Sequence, residues 1–296
     1  WYLHRRVHFK LDAHHPVGAA HHQKVIVIDE DTAFCSGIDV ANNRWDTRSH
    51  DEEQKYRLQP DGNDAGPWHD AAMVVQGDIA RALSEYAEEH WRAAGGKRLK
   101  TVTARADCWP KDLDADFKDC PIAIARTLPE MDDQEGIHEI ENLYLDLIAA
   151  AKDFIYAESQ YFASARIGAA IAERLSEKDG PEIVVINPQS AEGGLESEIM
   201  DSARARIHEA LKGRDRHDRF RILHPFTAGG TPVYVHAKIL IIDDQYFRVG
   251  SSNFNNRSLG FDSECDVALD ASADKKVAEQ IACTRNDLLA EHLGVE

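Results

Sequence analysis

Two short runs of this chain hold side chains able to work on a phosphate group. His22-Gln23-Lys24 opens the first, and His236-Ala237-Lys238 opens the second, 214 residues later. In each, four apolar residues follow and an aspartate closes the run, Asp29 in one copy and Asp243 in the other. At equal offsets beyond them lie Ser36-Gly37 and Gly250-Ser251. One such run could arise by chance, whereas two with matched downstream residues mark an internal repeat. Imidazole changes charge near neutral pH and can attack phosphorus or carry a proton. Lysine adds a point charge, while hydroxyl and amide groups donate hydrogen bonds to phosphate oxygens.

The spacing dictates the elements that must carry these groups. Four consecutive aliphatic residues bounded by charged turn residues read as a buried strand. Side chains two apart on a strand share a face, so His22 sits with Lys24 and His236 with Lys238. Asp29 and Asp243 have the opposite parity and are read as structural turn residues. Asp243-Asp244-Gln245-Tyr246 has the composition of a tight hairpin turn. With Asp244-Gln245 as a two-residue loop, His236 faces Asn253 and Lys238 faces Ser251. With Glu30-Asp31 as the loop of the first copy, His22 faces Asp39 and Lys24 faces Gly37. Asn253, Ser251 and Asp39 then belong to the patch that receives the phosphate.

At these residues the chain resembles the phospholipase D superfamily. Gly37-Ile38-Asp39 with Arg44-Trp45-Asp46 is similar to that family's first-lobe sequence. So is Pro67-Trp68-His69-Asp70, followed by a strand, Gly77 and a helix leading to Trp91. The segment from Ile155 to Phe162 resembles the family's I-x-x-E-N-Q-Y-F. Gly250-Ser251-Ser252-Asn253, Arg257-Ser258 and Asp262-Ser263-Glu264 complete the second signature. Ser36 replaces the more usual glycine and Ser159 stands where asparagine is common; neither change removes a reacting group. The resemblance covers nearly the whole chain, and its secondary motifs favour the lipid-acting branch over the small nucleases.

The resemblance implies an α/β fold of two pseudo-symmetric α/β/α sandwich lobes with one active site between them. It also implies a two-step displacement at a phosphodiester. His22 is the nucleophile that forms a phosphohistidine, and His236 is first general acid and then base. Lys24 and Lys238 bind the phosphoryl oxygens beside Asn253 and Ser251. By family position Asp70 orients His22 and Glu264 orients His236, each fixing a tautomer. No metal or other cofactor is expected, because the lysines neutralise the phosphate.

Composition narrows the partners. Formal net charge is -18, from 52 acidic and 34 basic residues. That argues against a nucleic-acid reader and against adhesion to anionic lipid through a polybasic patch. No apolar run approaches the roughly 20 residues of a spanning helix. Cys35, Cys108, Cys120, Cys265 and Cys283 are an odd number without close pairing; reduced thiols are the simpler reading, although a Cys108–Cys120 bridge fits an exported protein. A length of 296 residues suffices for two domains.

Apolar periodicity sets helices near 139–152, 166–178 and 194–212, with strands near 154–159, 182–188 and 220–224. Met73-Val74-Val75 reads as a strand, Ile79 to Arg92 as a helix, and Asp274 to Leu293 as a C-terminal amphipathic helix. Residues 1–97 then form the C-terminal part of a first lobe, 98–135 a connection holding one candidate strand (Ile122 to Ala125), and 136–296 the second lobe. If the lobes are alike, the first begins about 75 residues before Trp1, so the expectation is a first lobe truncated at its N-terminus or degenerate. Localisation is not legible.

Other features weigh less. His14, His15, His21 and His22 form a cluster that could hold zinc, but no cysteine or carboxylate spacing accompanies it. Trp45 and Tyr161 could line a pocket for a choline-type cation, and Thr231 closes a glycine-rich loop beside it. The expected activity is hydrolysis of glycerophospholipids to phosphatidic acid, with transfer to alcohols. A cardiolipin-synthase-type transferase and a phospholipase-D-like nuclease are the alternatives.

Overall fold

The computed structural model describes residues 4–102, 108–132 and 134–295. Strands β1 (Lys24–Ile28), β2 (Thr32–Ser36), β3 (Trp68–His69) and β4 (Ala72–Gln76) precede helix α1 (Asp78–Ala93). Next come β5 (Ile122–Leu128), β6 (Ile137–His138), α2 (Glu139–Ala150), β7 (Phe154–Glu158), α3 (Ala165–Ser176), β8 (Glu182–Ile186), α4 (Gly194–Lys212) and β9 (Phe220–Leu223). The last part holds β10 (Tyr234–Val235), β11 (Ile239–Ile242), β12 (Tyr246–Gly250), α5 (Asn256–Gly260), β13 (Glu264–Asp270) and α6 (Lys275–Leu293).

Both aliphatic runs are strands, in unequal surroundings. β11 lies inside an eight-stranded sheet of order β6-β5-β13-β12-β11-β7-β8-β9. Its four residues are all buried because helices cover both faces of that sheet, which is why its sequence does not alternate. Leu240 and Ile242 meet the apolar sides of α2 and α3, including Ile148 and Ile171. Ile239 and Ile241 meet the other layer, to which α6 contributes Val277 and Ile281. β1 instead edges a three-stranded sheet of order β1-β2-β4, with Ile26 and Ile28 exposed. Leu83 and Tyr86 of α1 pack with Cys35, Val75 and, from β13, Cys265 and Val267, fastening the small sheet to the large one. β5 lies within the stretch expected to connect the lobes, and it pairs antiparallel with β13 along its length. Cys35, Cys120, Cys265 and Cys283 are free thiols.

The hairpins correct the expected register. Ile28 pairs with Thr32 and Ile242 with Tyr246, so each loop holds three residues rather than two. Asp29, Glu30, Asp243 and Asp244 take positive φ of 52–56°. Two successive left-handed residues, which aspartate tolerates better than most, turn the chain before a third residue closes the loop. Every cross-strand pair therefore slips by one. Lys24 lies opposite Ser36, and Lys238 O accepts from Gly250 N at 3.3 Å, so the expected His236–Asn253 and Lys238–Ser251 facings do not form.

The two turn aspartates also differ in what they hold. The Asp243 carboxylate accepts from the backbone N–H groups of Lys152, Asp153 and Phe154 at 2.7–2.8 Å, tying the turn to the start of β7. Asp29 is exposed beside the edge strand. Alanine at either position loses the same left-handed tolerance, so the difference isolates the clamp. Asp243→Ala should cost about 1–2 kcal/mol more than Asp29→Ala in chemical denaturation, given one half-buried amide left without a partner and two exposed ones returned to water. Equal costs would show that the clamp adds nothing.

Candidate active site

The chain enters β1 and β11 along two equivalent crossings. His22 N donates to Ser263 O at 2.9 Å, and Ser263 N donates back to Ala20 O at 3.0 Å. His236 N and Ala237 N both donate to His69 O, at 2.8 and 3.2 Å, where β3 runs parallel to β10. In each crossing the next residue along is a buried carboxylate, Glu264 in one and Asp70 in the other. His22 Nδ1 lies 2.9 Å from both oxygens of Glu264, and His236 Nδ1 lies 2.7 Å from Asp70 Oδ2. The expected partners are thus exchanged: Glu264 serves His22 and Asp70 serves His236. The reason is the crossing itself, since each histidine is hydrogen-bonded to the backbone of the other repeat. With Nδ1–H given to a carboxylate, each ring keeps Nε2 for chemistry.

The lysines repeat this symmetry. Lys24 Nζ donates to His22 O at 2.7 Å, and Lys238 Nζ donates to His236 O. Each ammonium therefore keeps protons for a ligand. Gly37 of the first repeat packs on the second: a Cβ there would lie 2.7 Å from Lys238 Cδ and 3.1 Å from Asp70 Oδ1. A Cβ on Gly250 would overlap Asp266. Both small residues recognised in the repeat are thus points of close approach.

Burial makes the site electrostatically uneven. Loss of solvent, helped by the nearby Lys24 charge and opposed by Asp70, lowers the Lys238 ammonium to about 7. Burial and the cations Lys238 and Arg44 lower His236 to about 4 despite Asp70, so its ring is neutral at pH 7. Burial pushes both carboxylates up, but His22 and Ser251 outweigh it at Glu264, and His236 and Lys238 outweigh it at Asp70. Both stay below the usual range and are ionised. His22 is more open, with 29% of its side chain exposed.

Several expected phosphate contacts are otherwise engaged. Ser251 Oγ donates to Glu264 Oε2 and accepts from Cys265 N, so the hydroxyl braces the carboxylate that holds His22. Asp39 is acceptor-only and sits 3.6 Å from Lys24 Nζ, where it orients the ammonium. Asn253 is buried with Oδ1 unpaired, and its backbone N donates to Ser258 Oγ at 3.1 Å. Thr231 is pinned, its Oγ1 donating to Glu52 at 2.9 Å beside Thr227, which donates to the same oxygen. Tyr161 accepts from Gln160, whose amide also reaches Tyr234. Trp45 is half-exposed, edge-on to Tyr56, and lines a cavity of about 360 Å³ with Arg44, Trp68 and Asp70.

In the sequence Arg44 stands only within a motif and Trp68 reads as a core aromatic rather than a pocket residue; both line the cavity wall. The guanidinium lies 4.0 Å over the Trp68 ring, and that ring is 5.1 Å from His236. Behind them lies a charged layer without a sequence signal of its own. His69 places Nε2 2.6 Å from Glu158 and Nδ1 2.8 Å from Glu291 of α6. Burial alone would lower His69, but the two carboxylates raise it to about 10. The peptide carbonyl of this fixed cation is the one that holds His236.

The chain is similar to a set of known proteins. Residues 144–287 match a family profile described as "Cardiolipin synthase, PLD-like domain". Phospholipase D alpha 1 of Carica papaya is 23% identical over 93% of this chain and 49% of its own length. Phospholipase D1 of Saccharomyces cerevisiae is 26% identical, over 84% of this chain and 20% of its own length. The chain spans about half the length of the plant relatives it matches. The crystal structure of phosphatidylserine synthase from Haemophilus influenzae Rd KW20 shares the fold, with a TM-score of 0.58 at 13% identity over 90% of this chain and 61% of that one.

Two outcomes follow. An anionic phosphodiester entering the site should restore charge to Lys238 and His236, so binding takes up protons. Lys238 is already charged well below pH 7 and must gain its proton above it. Affinity for diethyl phosphate, singly charged throughout, should therefore fall as pH rises past about 4, where His236 must gain a proton on binding, and more steeply past about 7, where Lys238 must too, by roughly tenfold per unit at most for each proton. Titration calorimetry in buffers of different ionisation enthalpy measures the uptake directly; no uptake would contradict the lowered values. Gly37→Ala should cut binding at least about tenfold by displacing Lys238 while leaving circular dichroism unchanged.

Proposed function

The chain belongs to the phospholipase D superfamily, and from that premise we propose that it cleaves glycerophospholipids through a phosphohistidine. The crossed His22–Glu264 and His236–Asp70 pairs carry the reading. They supply two imidazoles with fixed tautomers beside two lysines, which is the equipment of a two-step displacement at phosphorus. Nε2 of His22 attacks phosphorus as the headgroup oxygen leaves, and that oxygen takes the proton of His236 Nε2. Water or another alcohol then gives its proton to His236 as it attacks. The P–N bond breaks, releasing phosphatidic acid or a phosphatidylalcohol and restoring His22. His236 is neutral in the free protein, so its proton arrives with the substrate, whose negative charge offsets Lys238 and Arg44. Lys24 and Lys238 hold the phosphoryl oxygens, with Asn253 beside them.

The lipid reading is supported by the names of the curated relatives and by the charge of -18, which disfavours a polyanionic substrate. Among the described residues no helix is long and apolar enough to cross a membrane, and the proposal has the protein meet its substrate at the membrane surface. Trp45, edge-on to Tyr56, suits a quaternary ammonium headgroup in the cavity next to Asp70. The profile over residues 144–287 favours one alternative, a phosphatidyltransferase whose acceptor is itself a lipid alcohol.

The test is incubation with phosphatidylcholine vesicles and butan-1-ol. The wild type should form phosphatidylbutanol, and His236→Ala should lose at least about 1,000-fold in rate. Acid-free trapping with labelled lipid should mark the peptide holding His22; label on His236 would reverse the two roles. Turnover of phosphatidylglycerol alone would select the transferase. No lipid turnover by folded protein, with degradation of DNA, would overturn the lipid assignment.

A further inference from the structure

Three groups of histidine and carboxylate side chains among the described residues bring their ligand atoms within 4.8 Å of one another. Two of them share His69, one with Glu158 and His292, the other with His50 and Glu291. Both nitrogens of His69 are within hydrogen-bond reach of carboxylates, at 2.6 and 2.8 Å. That ring has no lone pair to offer a metal, because each nitrogen carries a proton between itself and an oxygen. These two groups are satisfied as they stand.

The third group, Asp12, His21 and His90, is different. Ser263 Oγ donates its single proton to Gln23 Oε1 at 2.6 Å, so it can only accept from His21 Nδ1, which lies 2.9 Å away. His21 therefore carries its proton on Nδ1, and Nε2 presents a lone pair. That Nε2 is buried and makes no hydrogen bond. It faces Asp12 Oδ2 at 3.3 Å, an acceptor opposite an acceptor. The other Asp12 oxygen is fixed by His14 N at 2.9 Å, which aims Oδ2 at the group. His90 Nδ1, from the last turn of α1, lies 4.0 Å from the same Oδ2. Two lone pairs held face to face in a half-buried site need a positive charge between them, a second proton on the ring or a metal ion.

We propose that Asp12, His21 and His90 form a site for a divalent transition metal of the zinc class. Two imidazoles and one carboxylate are a zinc donor set and leave a fourth position open; hard cations such as calcium prefer all-oxygen sites. Ligand atoms of a tetrahedral zinc are about 3.4 Å apart, given bonds of about 2.1 Å. The Asp12–His21 spacing is close to that value, and His90 Nδ1, which Gln23 Nε2 meets at 3.4 Å, lies 4.0 Å from the same oxygen. The hydrogen bond from His21 Nδ1 to Ser263 is the kind of outer contact that orients a metal-bound imidazole. The sequence showed part of this in the run His14, His15, His21, His22. Its missing members, Asp12 and His90, stand ten residues before His22 and at the far end of a helix. His22 itself belongs to Glu264.

The site's position suggests its purpose. Asp12 lies in a segment without helix or strand, His21 directly precedes His22, and α1 packs on the small sheet. An ion there ties the loose segment to the helix and steadies the crossing at Ser263 that delivers Glu264 to His22. The inference does not depend on the reaction proposed above, and its readout is metal binding alone.

Zinc binding to the full chain, stripped with chelator, is measured by competition with a chromophoric chelator, and cobalt replaces zinc for absorption spectra. The wild type should bind one zinc, and its cobalt form should show the intense visible bands of tetrahedral coordination. Asp12→Asn and His90→Gln, both at half-buried positions, should each weaken zinc at least about 100-fold. Their metal-free circular dichroism and melting should match the wild type. Absence of zinc binding by the wild type, or binding unchanged in both folded variants, would overturn the proposal.

Discussion

Each reactive histidine depends on a carboxylate that its own repeat does not supply. Glu264 fixes His22 and Asp70 fixes His236, and both pairings follow from backbone hydrogen bonds that cross between the repeats. Much of the remaining architecture serves these crossings. β3 exists as a two-residue pairing with β10, and it sets His69 O where His236 N can reach it. Ser263 performs the same service for His22, and Ser251 braces the carboxylate beside it. Gly37 admits the stem of Lys238 because it has no side chain to refuse it.

Low solvent access gives this arrangement its electrical character. A buried cluster of cations would repel itself, and the protein resolves this by letting part of the charge go. Lys238 at about 7 and His236 at about 4 are poised to be recharged by an anion. The layer behind is held the opposite way. His69, between Glu158 and Glu291, keeps its proton to about 10, so the backbone that supports His236 does not change charge when the site does. Adjacent residues, His69 and Asp70, thus belong to a fixed layer and a responsive one.

The sequence carried the elements well and their mutual placement poorly. The aliphatic runs, the helices over 139–152 and 194–212, and the C-terminal helix announced themselves because burial periodicity is a property of a single element. The hairpin register did not, since Asp-Asp and Asp-Glu serve both two-residue and three-residue turns, and one extra residue shifts every facing pair. For the same reason Ser251 was expected on phosphate and is found on Glu264. The assignment of Asp70 to His22 and Glu264 to His236 rested on family position, and motif order along the chain does not show which repeat a carboxylate faces. His69 was visible only as part of a motif. Its charge depends on Glu291, 222 positions away.

His22 and Glu264 are 242 residues apart, and they meet across strands whose neighbours are also distant in sequence. Pairing of that range is slow, because a long loop must close before any contact repays it. A ribosome releases His22 well before Glu264. In the interval His22 has no carboxylate partner and no neighbouring Lys238. A growing or half-folded chain thus carries both histidines without the carboxylate pairing that the folded protein gives His22, and that pairing waits for β13. For a protein whose proposed substrate would be the membrane around it, the long connection acts as a safety catch set by chain order.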